Sequence, residues 1–125
     1  MCIRDRDGTN NNTVKLGYRN DSNVIYYEVY AGSSSVAFQL YSTTDVTQFH
    51  KVAVRYKVND FAMWVNGTQV LTDTSGAAPT GFSSVQFTRG DSSSIFYGKC
   101  KDIRVYNTKE MTDSEVDILL TKITS

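Results

Sequence analysis

The chain is poor in the residues on which most catalytic and metal chemistry rests: one His, two Cys and three Glu among 125 residues, with a single Pro. With His50 as the lone imidazole, any Ser–His–acid or Cys–His arrangement would have to be built on that one side chain. No cluster of His and Cys has metal-ligand spacing. Charge of one sign is also lacking. Thirteen basic side chains balance thirteen acidic ones, which removes the electrostatic footprint of a nucleic-acid binder or a polybasic membrane-surface protein. No apolar run approaches the ~18–20 residues that span a bilayer, and no charged-then-apolar leader opens the chain. Leu (5) and Ala (6), the helix builders, are few.

Val (13), Thr (14) and Tyr (8) are abundant instead, and they suit a pleated, half-buried surface. The length fits one domain or part of one. The expected class is therefore all-β. Met1-Cys2-Ile3-Arg4-Asp5-Arg6 stands apart from this pattern. It resembles the in-frame translation of a transposase adapter used in shotgun DNA libraries. On that reading residues 1–6 are foreign, the domain occupies 7–125, and the gene fragment, drawn from environmental DNA, is cut at its 5′ end. Cys2 then drops out, which leaves Cys100 alone and without a disulfide partner; on a strand it reads as a small buried hydrophobe.

Runs with period-two alternation, separated by turn residues, predict strands over 13–18, 24–30, 36–41, 49–57, 61–65, 68–71, 83–88 and 96–106. Phe61, Met63 and Val65 share one side of their run, while Ala62 and Trp64 share the other. Asn66-Gly67 between two such runs is a strong hairpin signal, because both central residues of a type I′ turn need positive φ. Val85 and Phe87 are expected to face inward, and a slip of period at Lys101-Asp102 suggests a bulge in the last and longest strand. Thr112-Asp113-Ser114-Glu115 has the pattern of a capping box. Val116, Leu119, Leu120 and Ile123 follow at helical spacing. About eight strands at such spacing, plus one terminal helix, indicate a sandwich or barrel.

Three stretches carry a resemblance. Phe49-His50-Lys51-Val52-Ala53-Val54-Arg55-Tyr56 is similar to the Trp-His-His-Val-Ala-Val-x-Tyr strand of laminin-G-like, concanavalin A-like domains. Phe61-Ala62-Met63-Trp64-Val65-Asn66-Gly67 resembles their Leu-x-Leu-Tyr-Val-Asp-Gly hairpin. Residues 98–107 with 111–116 look like their Gly-x-Ile-x-x-Val-Arg-Ile-Tyr-Asn…Leu-Thr-x-x-Glu-Ile ending. Order and spacing match over roughly 7–123. Asn66 stands for the usual Asp and Phe49 for the usual Trp, and no cysteine pair staples the C-terminal region. Within the superfamily the chain looks closest to C-terminal modules of marine tailed-phage virion proteins, through Asp7-Gly8-Thr9-Asn10-Asn11-Asn12, residues 56–61 and Asp73-Thr74-Ser75-Gly76. The resemblance implies a two-sheet antiparallel jelly roll whose last long strand pairs near the first, with the first strand or two missing here.

Some relatives on that fold are glucanases with paired strand carboxylates ~5–5.5 Å apart when retaining. Here Glu28 stands alone on its strand, while Glu110 and Glu115 flank the helix start, so the expectation is a non-enzyme. His50 matches the family's structural His. No cofactor is expected, with Ca²⁺ held open through the loop carboxylates Asp91 and Asp73. Arg89-Gly90-Asp91 spells an integrin-type tripeptide but reads as a Gly-containing turn. The sequons at Asn11, Asn20 and Asn66 matter only in a eukaryotic secretory route, which the phage-like resemblance argues against. A binding surface remains. Trp64 points away from the Phe61–Met63–Val65 side and, with Tyr26, Tyr30 or Tyr41 on neighbouring strands, offers a ring on which a sugar can stack; Trp64, Tyr41, Arg89 and Asp91 are the candidate ligand-binding residues. The alternative for Trp64 is a cover formed by a neighbouring segment. The expected partners are host-surface glycan or other virion subunits, with no nucleic acid and no membrane span, in a virion or extracellular setting; a secreted bacterial adhesin domain is a further alternative.

Overall fold

The computed structural model of the chain describes residues 2–6, 11–19, 22–87 and 98–125, the first of these as backbone. Eight strands and one helix follow in order: β1 (Cys2–Arg6), β2 (Thr13–Arg19), β3 (Val24–Ala31), β4 (Ser34–Ser42), β5 (Val52–Lys57), β6 (Asp60–Val65), β7 (Thr68–Asp73), β8 (Ser84–Gln86) and α1 (Asp113–Thr124). They form a five-stranded sheet, ordered β4-β3-β2-β1-β8, and a three-stranded sheet, ordered β5-β6-β7. Every pairing is antiparallel. The all-β sandwich with a C-terminal helix expected from the alternation is the observed architecture.

Period two decides the layers. On β6 the odd residues Phe61, Met63 and Val65 join Val14, Ile25, Tyr27, Val29 and Ala37 of the larger sheet in one buried cluster. The even residues Ala62 and Trp64 face the other way and pack under Val116 and Leu120 of α1, with Ala53, Met111 and Ile123 around them. The protein thus has three layers: large sheet, small sheet, helix. The helix begins as its sequence predicts. Thr112 accepts from the Glu115 amide at 3.2 Å while the Glu115 carboxylate reaches back to the Thr112 amide, so two otherwise orphaned N–H groups are satisfied.

The turns use the residues their geometry demands. Asn66 (φ 49) and Gly67 (φ 87) both lie at positive φ between β6 and β7. The Gly67 amide donates to Thr124 Oγ1 at 3.1 Å, and a Cβ at Gly67 would sit 3.2 Å from Ser125 Oγ, so this turn docks onto the end of α1. Asn66 Oδ1 accepts from the Lys51 amide at 3.0 Å, which orients its Nδ2 towards His50 Nδ1 at 3.3 Å. His50 Nε2 faces the Asp45 carbonyl at 3.0 Å, an acceptor only, so the ring is assigned the Nε2–H tautomer. His50 thereby braces a hairpin.

A polar link joins the two sheets where the edge strands β4 and β7 meet. The Tyr27 hydroxyl donates to Gln39 Oε1 at 3.0 Å, and Gln39 Nε2 donates to the Thr72 carbonyl on β7 at 2.7 Å. Tyr27 is fully buried, and desolvation, helped by the nearby Asp73 charge, pushes its phenol up to about 12.

Several expectations require correction. Of the strand expected over 96–106, residues 96 and 97 lie outside the described residues and 98–106 are in no strand, with Ile103, Val105 and Tyr106 exposed. Both sides of β1 are taken, by β2 and β8, so the position beside the first strand is filled. Within 98–106 polar groups find local partners instead, as in Arg104 Nε to Asp102 Oδ2 at 2.8 Å. Cys100 lies on this segment and is exposed, not buried. Val85 and Phe87 are each 41% exposed, because β7 lies against β4 and the three-stranded sheet does not extend over the β8 end. The expected strand over 49–57 starts only at Val52, since His50 and Lys51 serve the Asn66 turn. Cys2–Arg6, set apart in the sequence, pairs as β1 through backbone groups that any non-proline residues would supply.

Tyr27 generates a prediction with a definite sign. In the unfolded chain its phenol loses a proton near pH 10, whereas in the folded protein it holds it to about 12. Between those values the unfolded state binds fewer protons, so stability falls as pH rises. Tyr27→Phe costs about 1 kcal/mol near neutral pH. It should also remove roughly 2–3 kcal/mol of the alkaline loss. Urea unfolding at pH 9 and at pH 11–12 checks this: the variant should lose ground to wild type at the lower pH and overtake it at the higher.

Candidate binding face

The expected constellation of Trp64 with tyrosines does not assemble. Trp64 does point away from Phe61, Met63 and Val65, but that side of the small sheet is roofed by α1, and the indole is 1% exposed. Arg55 seals it. Its guanidinium lies 5.4 Å from the Trp64 ring, donates to Asp60 Oδ1 at 2.6 Å and forms a second ion pair with Asp117 of α1. The apolar stripe of the helix was readable; that it would land on the Trp64 side of β6 was not. Tyr41 opposes Ile25 across β3 and β4 and packs against the inter-sheet core, so it too faces inward. Arg89 and Asp91, with the whole Arg89-Gly90-Asp91 turn, lie outside the described residues, as does Asn20. Of the calcium candidates only Asp73 is described, and its carboxylate accepts from the Ser75 amide and hydroxyl at 3.0 and 3.2 Å, which makes it a turn former.

Tyr26 and Tyr30 belong to a different surface, the outer face of the large sheet. Residues directly opposite in antiparallel strands share a face. Lys15 opposes Glu28, Glu28 opposes Phe38, and Tyr26 opposes Leu40. Inner residues Ile25, Tyr27 and Val29 of β3 are buried, so the alternate set on β3 is turned outward. Phe38 and Leu40 are each 45% exposed. The Tyr26 and Phe38 rings are 6.0 Å apart at 55°. Charges frame them: Lys15 Nζ is 3.2 Å from Glu28 Oε2 and 4.5 Å from the centre of the Tyr30 ring, and the Arg19 guanidinium is 5.8 Å from that of Tyr26. The result is a shallow platform of aromatic and aliphatic groups with a paired cation and carboxylate among them. The signal for it in the sequence was the alternation of Val36, Phe38 and Leu40 with Ala37, Gln39 and Tyr41; which set faces out is fixed by the register with β3.

Several acidic groups elsewhere are committed to structure. Asp60 and Asp117 serve Arg55, Asp113 pairs with Lys57 at 3.2 Å, and Glu115 caps α1. Asp45 accepts from the Thr47 hydroxyl and amide and from Gln48, hydrogen bonds that hold its carboxyl below the usual range. Among the described residues no group of three or more His, Cys, Asp and Glu comes together. No helix of the described residues is long and apolar enough to cross a membrane.

An antiparallel two-sheet sandwich with these hairpins defines a lectin-like jelly-roll class. The Laminin_G_3 family model, described as the concanavalin A-like lectin/glucanases superfamily, matches residues 2–117, and the chain belongs to that family. No curated protein matches. A solved structure to which the chain is similar is an S-layer domain-containing protein (residues 221–444) from Clostridium thermocellum, at 17% identity and a TM-score of 0.41. The match covers 92% of this chain and 59% of the other.

Trp64→Ala should behave as a core truncation, costing about 3–5 kcal/mol by removing the contact between sheet and helix. Thermal melts followed by circular dichroism should show a fall in Tm of roughly 10 °C or more; an unchanged Tm would place Trp64 outside the core.

Proposed function

We propose that the domain is a non-catalytic binding module that holds cell-surface carbohydrate against the outer face of its five-stranded sheet, in a tailed-phage virion protein or another extracellular protein. The observation that carries this reading is the Tyr26–Phe38 pair, presented beside the Lys15–Glu28 ion pair on a regular sheet face. A pyranose offers an apolar face of C–H groups ringed by hydroxyls. Aromatic rings take the first, and a paired ammonium and carboxylate donate to and accept from the second. The lectin/glucanase family supports a binding role, and the carboxylates engaged by Arg55, Lys57 and the helix cap support a role without catalysis. Packing against other virion subunits is a second reading, favoured by the exposure of Phe38 and Leu40.

A glycan array followed by titration with the best hit tests the proposal. Phe38→Ala and Tyr26→Ala should each weaken binding by about tenfold, in line with the stacking energy of one ring. Phe38→Ala should move Tm by no more than a few degrees, since the ring is 45% exposed. Absence of binding to glycans and to bacterial cells, with capture of a virion subunit instead, would favour the second reading.

A further inference from the structure

We propose that β4 is a self-association edge, pairing antiparallel with β4 of a second copy across a two-fold axis. Among the described residues four strands border the two sheets: β4 and β8 on the larger, β5 and β7 on the smaller. An open edge presents a row of unpaired N–H and C=O groups, and proteins that must stay monomeric blunt such rows with charge, proline, bulges or brevity. Three of the four are blunted in this way. β8 has three residues, β5 carries Arg55 and Lys57, and β7 ends in Asp73. β4 is the exception: nine residues, Ser34–Ser42, without a charge or a proline. Its irregularity lies at one end, opposite Val29/Tyr30, where the Val36 carbonyl is also within 2.9 Å of the position a Cβ on Gly76 would take. Residues 37–42 run in regular register with β3, and among the described residues no strand pairs on their other side.

The occupant follows from charge and symmetry. A two-fold sets each residue of the edge against the same strand of the partner, so any charge there would approach its own copy. An uncharged row meets the condition that self-pairing imposes, and zero net charge removes long-range repulsion between copies. The donor and acceptor row of an antiparallel edge is complementary to itself under that operation. Phe38 and Leu40 would stand beside the seam on the outer face, next to side chains of the partner's strand. The axis stands perpendicular to the joined sheet, so the two outer faces look the same way.

Sedimentation of the full chain from low micromolar to submillimolar concentration tests this, together with amide hydrogen exchange at both extremes. Reversible dimerisation is expected, with slowed exchange at high concentration confined to residues 37–42. Leu40→Lys places like charges across the seam and should weaken the dimer at least roughly tenfold while the circular dichroism spectrum is retained; if that variant does not fold, Ser42→Lys at the exposed end of the strand replaces it. A monomer at every concentration, a dimer indifferent to lysine on β4, or protection appearing on another segment such as 98–107 would overturn the proposal.

Discussion

The architecture depends on β6 being buried on both faces. Phe61, Met63 and Val65 close the space between the sheets, while Ala62 and Trp64 form the floor for α1. A strand that must satisfy two layers at once has no tolerance for a shift of register, because a slip of one residue would exchange the two sets. The neighbouring hairpins enforce that register. Asn59 and Asn66 occupy positive φ at the two ends of the strand, and the side chain of each hydrogen-bonds a backbone amide, of Gly76 and Lys51 respectively.

Charge is spent on holding layers together. Arg55, 15% exposed, links β5, the start of β6 and the middle of α1 through two carboxylates and an aromatic ring. Such a buried guanidinium is costly unless its partners stay in place, so the helix and the small sheet act as one unit. The Tyr27–Gln39–Thr72 chain performs the equivalent task between the two sheets with neutral groups. The outer face of the large sheet, where binding is proposed, has its opposite side already anchored, so its side chains are presented from a rigid base.

Much of this was readable from residues alone, because alternation and turn chemistry are local signals. The runs through Thr13, Val24, Phe61 and Thr68, the Asn66-Gly67 hairpin and the Thr112–Glu115 cap all lie where their patterns place them. What failed was non-local. Alternation shows that Trp64 and Met63 face opposite ways but not what lies over each. Trp64 went to the helix, Tyr41 to the inter-sheet core, and Tyr26 and Tyr30 to the far side of the other sheet. The segment around Ile103 and Val105 has strand-forming residues and no strand, and the place beside β1 that the resemblance implied for it is taken by β2 and β8. Phe38 and Leu40 were seen only as one half of an alternation, and register with β3 decided that they are the exposed half.

The Asn66-Gly67 turn carries a consequence for chemical ageing. An Asn side-chain amide is lost when the following backbone nitrogen attacks it to close a five-membered imide ring, and glycine hinders that closure least because it has no Cβ. Here the Gly67 nitrogen is engaged by Thr124 and the Asn66 amide by Lys51 and His50, so neither reacting group is free to swing towards the other. The folded chain should deamidate at this site more slowly than the unfolded one, a difference mass spectrometry of the tryptic peptide resolves. The contacts that seat a hairpin on a helix terminus thus also set the shelf life of its most labile bond.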